Sequence, residues 1–127
     1  MRNYNVMRNI LVTVLFAKNE VEFNELTGLS NDEKLKEEYQ KELKRLKKEG
    51  LIIHNMKWDA CFNGGTIKKL TPEGENFARR IQDDSVWAGV YETLKRSQLD
   101  ISYPLIEKIC NHIAEKIVMS CIPDEFK

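Results

Sequence analysis

Apolar positions recur at helical spacing over several long stretches and crowd into two short runs between them. From about Asn5 to Lys18, the residues Val6, Met7, Ile10, Leu11, Val14 and Leu15 step by one, three and four, which predicts a helix with one buried stripe. The β-branched content of Ile10 to Phe16 keeps a strand open there, and Asn3 or Asn5 would cap the helix. Glu20 to Leu29 carries Val21, Phe23, Leu26 and Leu29 and reads as one or two helical turns closed by Gly28. Ser30-Asn31-Asp32-Glu33 has the form of a capping box, a hydroxyl with a carboxylate three positions on. It opens a helix to about Glu49 with Leu35, Tyr39, Leu43 and Leu46 inside about 80° of arc at 100° per residue.

Gly50 stands where a helix ends in a left-handed residue. Leu51 to Met56 then reads as a strand, Cys61 to Thr66 as a polar tip with the turn signal Asn63-Gly64-Gly65, and Thr66 to Leu70 as the returning strand. Thr71-Pro72-Glu73-Gly74-Glu75 opens the next helix, with Thr71 as cap, Pro72 in the first turn and two glutamates at the positive end. Phe77, Ala78 and Ile81 form its buried side. Asp83-Asp84-Ser85 is a cap or a break, after which Val86, Trp87, Val90, Tyr91 and Leu94 continue an apolar face to about Arg96. A linker, Ser97 to Ser102, precedes a last helix from near Tyr103-Pro104, with Leu105, Ile106, Ile109, Cys110, Ile113 and Ile117 on its apolar side. The end, from Ser120 onward, contains Pro123 and is expected to fray.

This order predicts an α+β fold, mainly helical: a winged helix-turn-helix with a two- to three-stranded wing sheet and extra C-terminal helices. The winged-helix domain would occupy residues 1–96, and residues 97–127 would be a helical extension that packs on it or forms a dimer contact. A chain of 127 residues is long enough to bury one core. With 42% hydrophobic and 31% charged residues, it has an ordinary globular composition. No apolar run approaches the roughly 20 residues needed to span a bilayer. No cleavage-site pattern follows Ile10 to Ala17, so a signal peptide is not expected and a cytoplasmic protein is.

Charge changes the picture only locally. The 20 basic and 20 acidic side chains cancel, which disfavours a generic polyanion binder. Residues 34–69, however, hold ten basic and five acidic side chains, a net +5. On the wheel of the Ser30–Glu49 helix, Lys34, Lys41, Lys44 and Lys48 fall opposite the apolar stripe with Arg45 beside them, and Glu37 is the one acid among them. Two readings compete. Lysines late in a helix complement its dipole, and Glu37–Lys41 is a favourable i,i+4 pair, which needs no ligand. Alternatively, the row lies along a phosphate backbone, with Lys57, Lys68 and Lys69 of the following ribbon adding to it and Gln40 as the candidate base reader. Against base reading, the N-terminal half of the helix has no arginine and carries Asp32, Glu33 and Glu37. Trp58 and Phe62 near the tip either fold back on the core or mark a contact surface.

Two blocks, Leu43-Lys44-Arg45-Leu46-Lys47-Lys48-Glu49-Gly50-Leu51-Ile52-Ile53 and Leu70-Thr71-Pro72-Glu73-Gly74-Glu75-Asn76-Phe77, resemble the YjcQ-like family and related small phage and prophage proteins. The family pattern runs L-K-x-E-G-x-I-I before the wing and L-T-x-x-G-E-N after it, then a tryptophan-bearing helix, here with Trp87, Tyr91, Thr93 and Lys95. The resemblance covers about Val6 to Lys95. Beyond Arg96 the chain carries an additional helix, as the longer phage relatives do. The resemblance implies a winged-helix-like fold, a setting in phage or integrated phage genomes, and no catalytic residues.

Site chemistry is sparse. The three cysteines, Cys61, Cys110 and Cys121, form no C-x-x-C pair, and the two histidines, His54 and His112, lie far apart. Neither a disulfide framework nor a zinc site is expected. Asn63-Gly64-Gly65-Thr66 lacks the spacing of a phosphate loop, and no G-x-S-x-G or H-E-x-x-H occurs. The expectation is a non-enzymatic protein without cofactor, metal, membrane or small-molecule ligand. Its leading reading is a DNA-binding or regulatory protein gripping double-stranded DNA. The alternative is a protein-interaction module, virion-associated or host-directed, that binds no nucleic acid. A homodimer seam along Ile106, Ile109, Ile113 and Ile117 would belong to either.

Overall fold

The computed structural model describes residues 2–28, 30–56 and 65–123. Among them are six helices and a small antiparallel sheet of three strands, a mainly helical α+β architecture. The chain separates into two compact units, residues 3–79 and residues 80–127 with the first two residues.

In the first unit, α1 (Tyr4–Phe16) is capped by Asn3, whose side chain accepts the Val6 N–H at 3.2 Å. Its stripe of Val6, Met7, Ile10, Leu11 and Val14 is buried, which settles that stretch as helix. Strand β1 (Val21–Glu22) and the single turn α2 (Phe23–Leu26) follow. The strand is an addition to the expected helical turns: Val21 and Glu22 pair with Ile67 and Thr66 of a strand far along the chain, which local spacing does not disclose. Helix α3 (Glu33–Lys48) starts later than the capping-box pattern predicts. Asp32 is the cap, accepting from the N–H groups of Lys34 and Leu35, while Ser30 accepts the N–H of Asp32. A carboxylate one residue before the helix outcompetes the hydroxyl because it carries full charge at the positive end of the dipole. Tyr39, Leu43 and Leu46 are buried, whereas Leu35 is only half-buried.

Strand β2 (Ile52–His54) is shorter than the expected Leu51–Met56, and β3 (Thr66–Leu70) has the expected bounds. Strand β3 lies in the middle of the sheet, in the order β1-β3-β2. The register shifts between Ile53 and His54, so Ile53 faces Lys69 and His54 faces Ile67. Lys68 is the extra residue of that bulge.

Helix α4 (Pro72–Ile81) follows β3 after one residue, Thr71, whose hydrogen bonds tie it to the α3–β2 corner. The Thr71 hydroxyl donates to the Gly50 carbonyl at 2.6 Å and accepts the Gly74 N–H at 3.1 Å, and the Thr71 N–H donates to the Leu51 carbonyl at 3.0 Å. Gly50 has φ +77°, the left-handed end that the spacing predicts. A Cβ on Gly74 would stand 2.0 Å from the Leu51 carbonyl oxygen, so only glycine lets the helix start so close to the strand.

The second unit is built on α5 (Asp84–Ser97) and α6 (Tyr103–Ser120). Asp83 caps α5 through the N–H groups of Ser85 and Val86, so the acidic pair is a cap. Gln98 closes the helix in the left-handed region at φ 55°. The buried residues of the pair are Val86, Trp87, Val90 and Leu94 of α5 and Tyr103, Ile106 and Cys110 of α6. A Cβ on Gly89 would meet the Ile113 side chain at 2.9 Å, a close crossing of the two helices. The division of the chain therefore falls inside α4, ahead of the boundary expected between residues 96 and 97. The cause is that α5 and α6 form a hairpin, so α6 takes α5 with it.

Candidate nucleic-acid interface

Helix α3 carries the basic row. Its buried side chains, Tyr39, Leu43 and Leu46 with Glu42 beside them, turn its opposite side to solvent, and Lys34, Lys41, Lys44 and Lys48 are exposed there. Lys34 and Lys48 are fourteen residues apart, about 21 Å of helix at 1.5 Å per residue. Arg45 is half-buried and reaches Glu49 at 3.8 Å. Glu33 is drawn to Lys36 at 4.0 Å, off the row. Among the described residues Lys34, Lys41 and Lys48 make no ion pair, and the expected Glu37–Lys41 pair is not formed. A shallow depression of about 620 Å³ runs along the last two turns, lined by Lys41, Lys44, Arg45, Lys48 and Glu49. Four cations against one carboxylate make its surface electropositive.

Other members of the expected set are elsewhere. Gln40 is half-buried on the flank of the helix, one turn before Lys44, and is less exposed than the lysines. Lys68 and Lys69 are exposed, but they line a different concavity of about 570 Å³, with Lys18 and Glu20 after α1 and Glu75 of α4. No α3 residue lines it. Lys57, Trp58 and Phe62, with Cys61 and the Asn63-Gly64 turn, lie outside the described residues.

The isoleucines of α6 are buried to different degrees. Ile106 is fully buried, and Ile113 packs on Gly89 of α5, with Ile109 and Ile117 half-buried on the same side of α6. Ile113 thus packs within the chain's own helix pair, while Ile109 and Ile117 keep part of their surface exposed. The exposed apolar residues of α6 are Leu105, Val118 and Met119, and Lys108, His112, Glu115 and Lys116 break them up, so they form no stripe.

His54 has a structural role that the apolar run Leu51-Ile52-Ile53 concealed. Strand alternation puts Ile52 and His54 inward and Ile53 outward, and His54 is 6% exposed. Its Nδ1 accepts the Met56 N–H at 3.2 Å, which leaves the proton on Nε2, 3.3 Å from the Leu43 carbonyl of α3. Burial holds its pKa below the ordinary histidine value; the Leu43 carbonyl opposes that shift and the charge of Lys47 adds to it. The ring thus fastens the end of β2 to the middle of α3 and fixes where the ribbon leaves the helix. Beyond it, Gly65 has φ +149° and sits so close to Met56 that a Cβ would meet the Met56 Cα at 2.8 Å.

In the second unit, Cys110 is buried and burial pushes its thiol pKa up, while Cys121 is exposed. Among the described residues, no group of three or more histidine, cysteine, aspartate or glutamate side chains could hold a metal ion. No described helix is long and apolar enough to cross a membrane. No protein-family model matches this chain, and no curated protein matches it either.

Proposed function

We propose that the protein is a winged-helix duplex-DNA-binding protein, of the kind found in phage and prophage genomes, and that α3 is its contact helix. The order α1-β1-α2-α3-β2-β3, with β3 central, supports the winged-helix reading. So does the corner at Gly50, Thr71 and Gly74, where the two blocks that resemble the YjcQ-like family meet. The single observation behind the DNA reading is the exposed lysine row of α3 opposite the buried stripe of Tyr39, Leu43 and Leu46. A row that only complemented the helix dipole would cluster in the last turn. This row begins at Lys34, in the first turn, where the dipole disfavours a cation.

Equilibrium binding of a labelled duplex of about 20 base pairs in 50 mM salt tests the proposal. Micromolar or tighter binding is expected, weakening steeply as salt rises. The double variant Lys41→Glu/Lys48→Glu should lose at least about tenfold in affinity with its thermal transition unmoved, because both side chains are exposed. Absence of binding by the parent chain at that salt refutes the proposal and leaves the protein-interaction reading.

A further inference from the structure

We infer that α3 grips the duplex by its backbone with the C-terminal half, and so binds DNA without regard to sequence. The inference rests on the DNA reading above and narrows it. Reading a base edge needs an extended donor or acceptor at the exposed surface of the helix, usually in its first turns. In α3 those turns are committed elsewhere. The Asp32 carboxylate is held by the N–H groups of Lys34 and Leu35, and Glu33 is drawn to Lys36. With Glu37 exposed one turn on, three carboxylates stand where the helix would have to enter a groove flanked by phosphates. The cations among them are Lys34 and Lys36, the latter drawn to Glu33, and Gln40 is half-buried on the flank.

The C-terminal turns are the reverse. Lys41, Lys44, Arg45 and Lys48 line one shallow depression with Glu49 as its single acid. Lysine is a mobile point charge suited to phosphate oxygens rather than to the two-point geometry of a base edge. The charge gradient along α3 therefore tilts the helix: the basic end sits on the phosphates and the acidic end is held off the bases.

The test is fluorescence anisotropy with the full chain, a panel of 20-base-pair duplexes of unrelated sequence, and enrichment from a randomised duplex library. Four phosphate contacts give a log–log salt slope of about −3.6, a loss of roughly 150-fold in affinity between 50 and 200 mM salt. Affinities across the panel should agree within about threefold, and the library should yield no consensus. Lys41→Ala or Lys48→Ala should weaken every duplex alike and make the slope shallower by about 0.9, whereas Gln40→Ala should change nothing. One duplex bound 30-fold tighter than the rest, or an enriched consensus, overturns the inference and leaves DNA binding standing. Failure to bind any duplex in 50 mM salt, or equal binding to poly-glutamate, overturns the DNA reading and this inference with it.

Discussion

Replacing Gly74 by alanine adds one methyl group at the tightest point of the fold. The new Cβ would lie 2.0 Å from the Leu51 carbonyl oxygen and 2.9 Å from its carbon. Carbon–oxygen contacts ordinarily stand at about 3.3 Å or more, so strand and helix must separate by about 1.3 Å. The neighbour is backbone at the start of β2 and cannot swing aside as a side chain would. Overpacking of this kind costs about 3 kcal/mol. The displaced carbonyl also accepts the Thr71 N–H at 3.0 Å, and losing that bond costs about 1 kcal/mol. Alanine recovers about 1 kcal/mol through its higher helix propensity. The balance is a loss of about 3 kcal/mol, or roughly 12 °C in melting temperature for a domain of this size.

Urea unfolding followed by circular dichroism reads this directly. The midpoint should fall while the slope with denaturant stays the same, since the unfolded chain hardly changes. Gly28→Ala is the matched control: no atom lies within 4 Å of its Cβ, and the cost is confined to its φ of +65°. That conformation costs about 1 kcal/mol for a residue with a Cβ. A Gly74→Ala protein within about 0.5 kcal/mol of the parent would mean that α4 does not abut the Leu51 carbonyl, and the corner that joins the two sequence blocks would be wrong.

The remaining expectations concern the same unit. His54 is neutral in the fold and its pKa lies below its unfolded value of 6.5, so the unfolded chain takes up the proton first. Stability should be full above about pH 6.5 and fall as pH drops through that value toward the folded pKa; His54→Leu should be less stable at pH 7.5 but flat from pH 7 to 5, and a flat parent profile would contradict the bonds given to the ring. Thr71→Ala should cost about 2 kcal/mol in chemical denaturation, through the lost cap and the lost tie to Gly50, and a cost below about 0.5 would dissociate Thr71 from the corner. Asp32→Ala should cost about 1 kcal/mol and Ser30→Ala a few tenths; the opposite order would restore Ser30 as the cap.

What could be read along the chain was whatever depends on near neighbours. The stripes of α1, α4, α5 and α6, the Gly50 stop, the Thr71 cap and the Asp83 cap all follow from spacing within one or two turns. Strand β1 did not, because two residues have no period and their partners are Ile67 and Thr66, more than 40 positions away. The Ser30 cap failed for a different reason: the rule knows a hydroxyl and a carboxylate at fixed offset, but an aspartate nearer the first turn satisfies the same N–H groups with a full charge. How far the α6 isoleucines are buried was not legible either, because a sequence does not show that Gly89 makes room for Ile113.

The lysine row illustrates a sharper limit. Spacing alone grouped Lys34, Lys41, Lys44 and Lys48 with Lys68 and Lys69 because all are close in sequence and alike in charge. In the fold both ribbon lysines line another concavity, with Lys18, Glu20 and Glu75. Pooling the two groups would predict a salt slope near −5, whereas the α3 depression by itself predicts about −3.6. The two values are separable in one titration. A Lys68→Ala/Lys69→Ala protein should bind duplex as the parent does, with the same slope. If that variant instead loses two contacts' worth of slope, the ribbon joins the interface, and the tilt argued for α3 must give way to a docking in which β3 also touches the backbone.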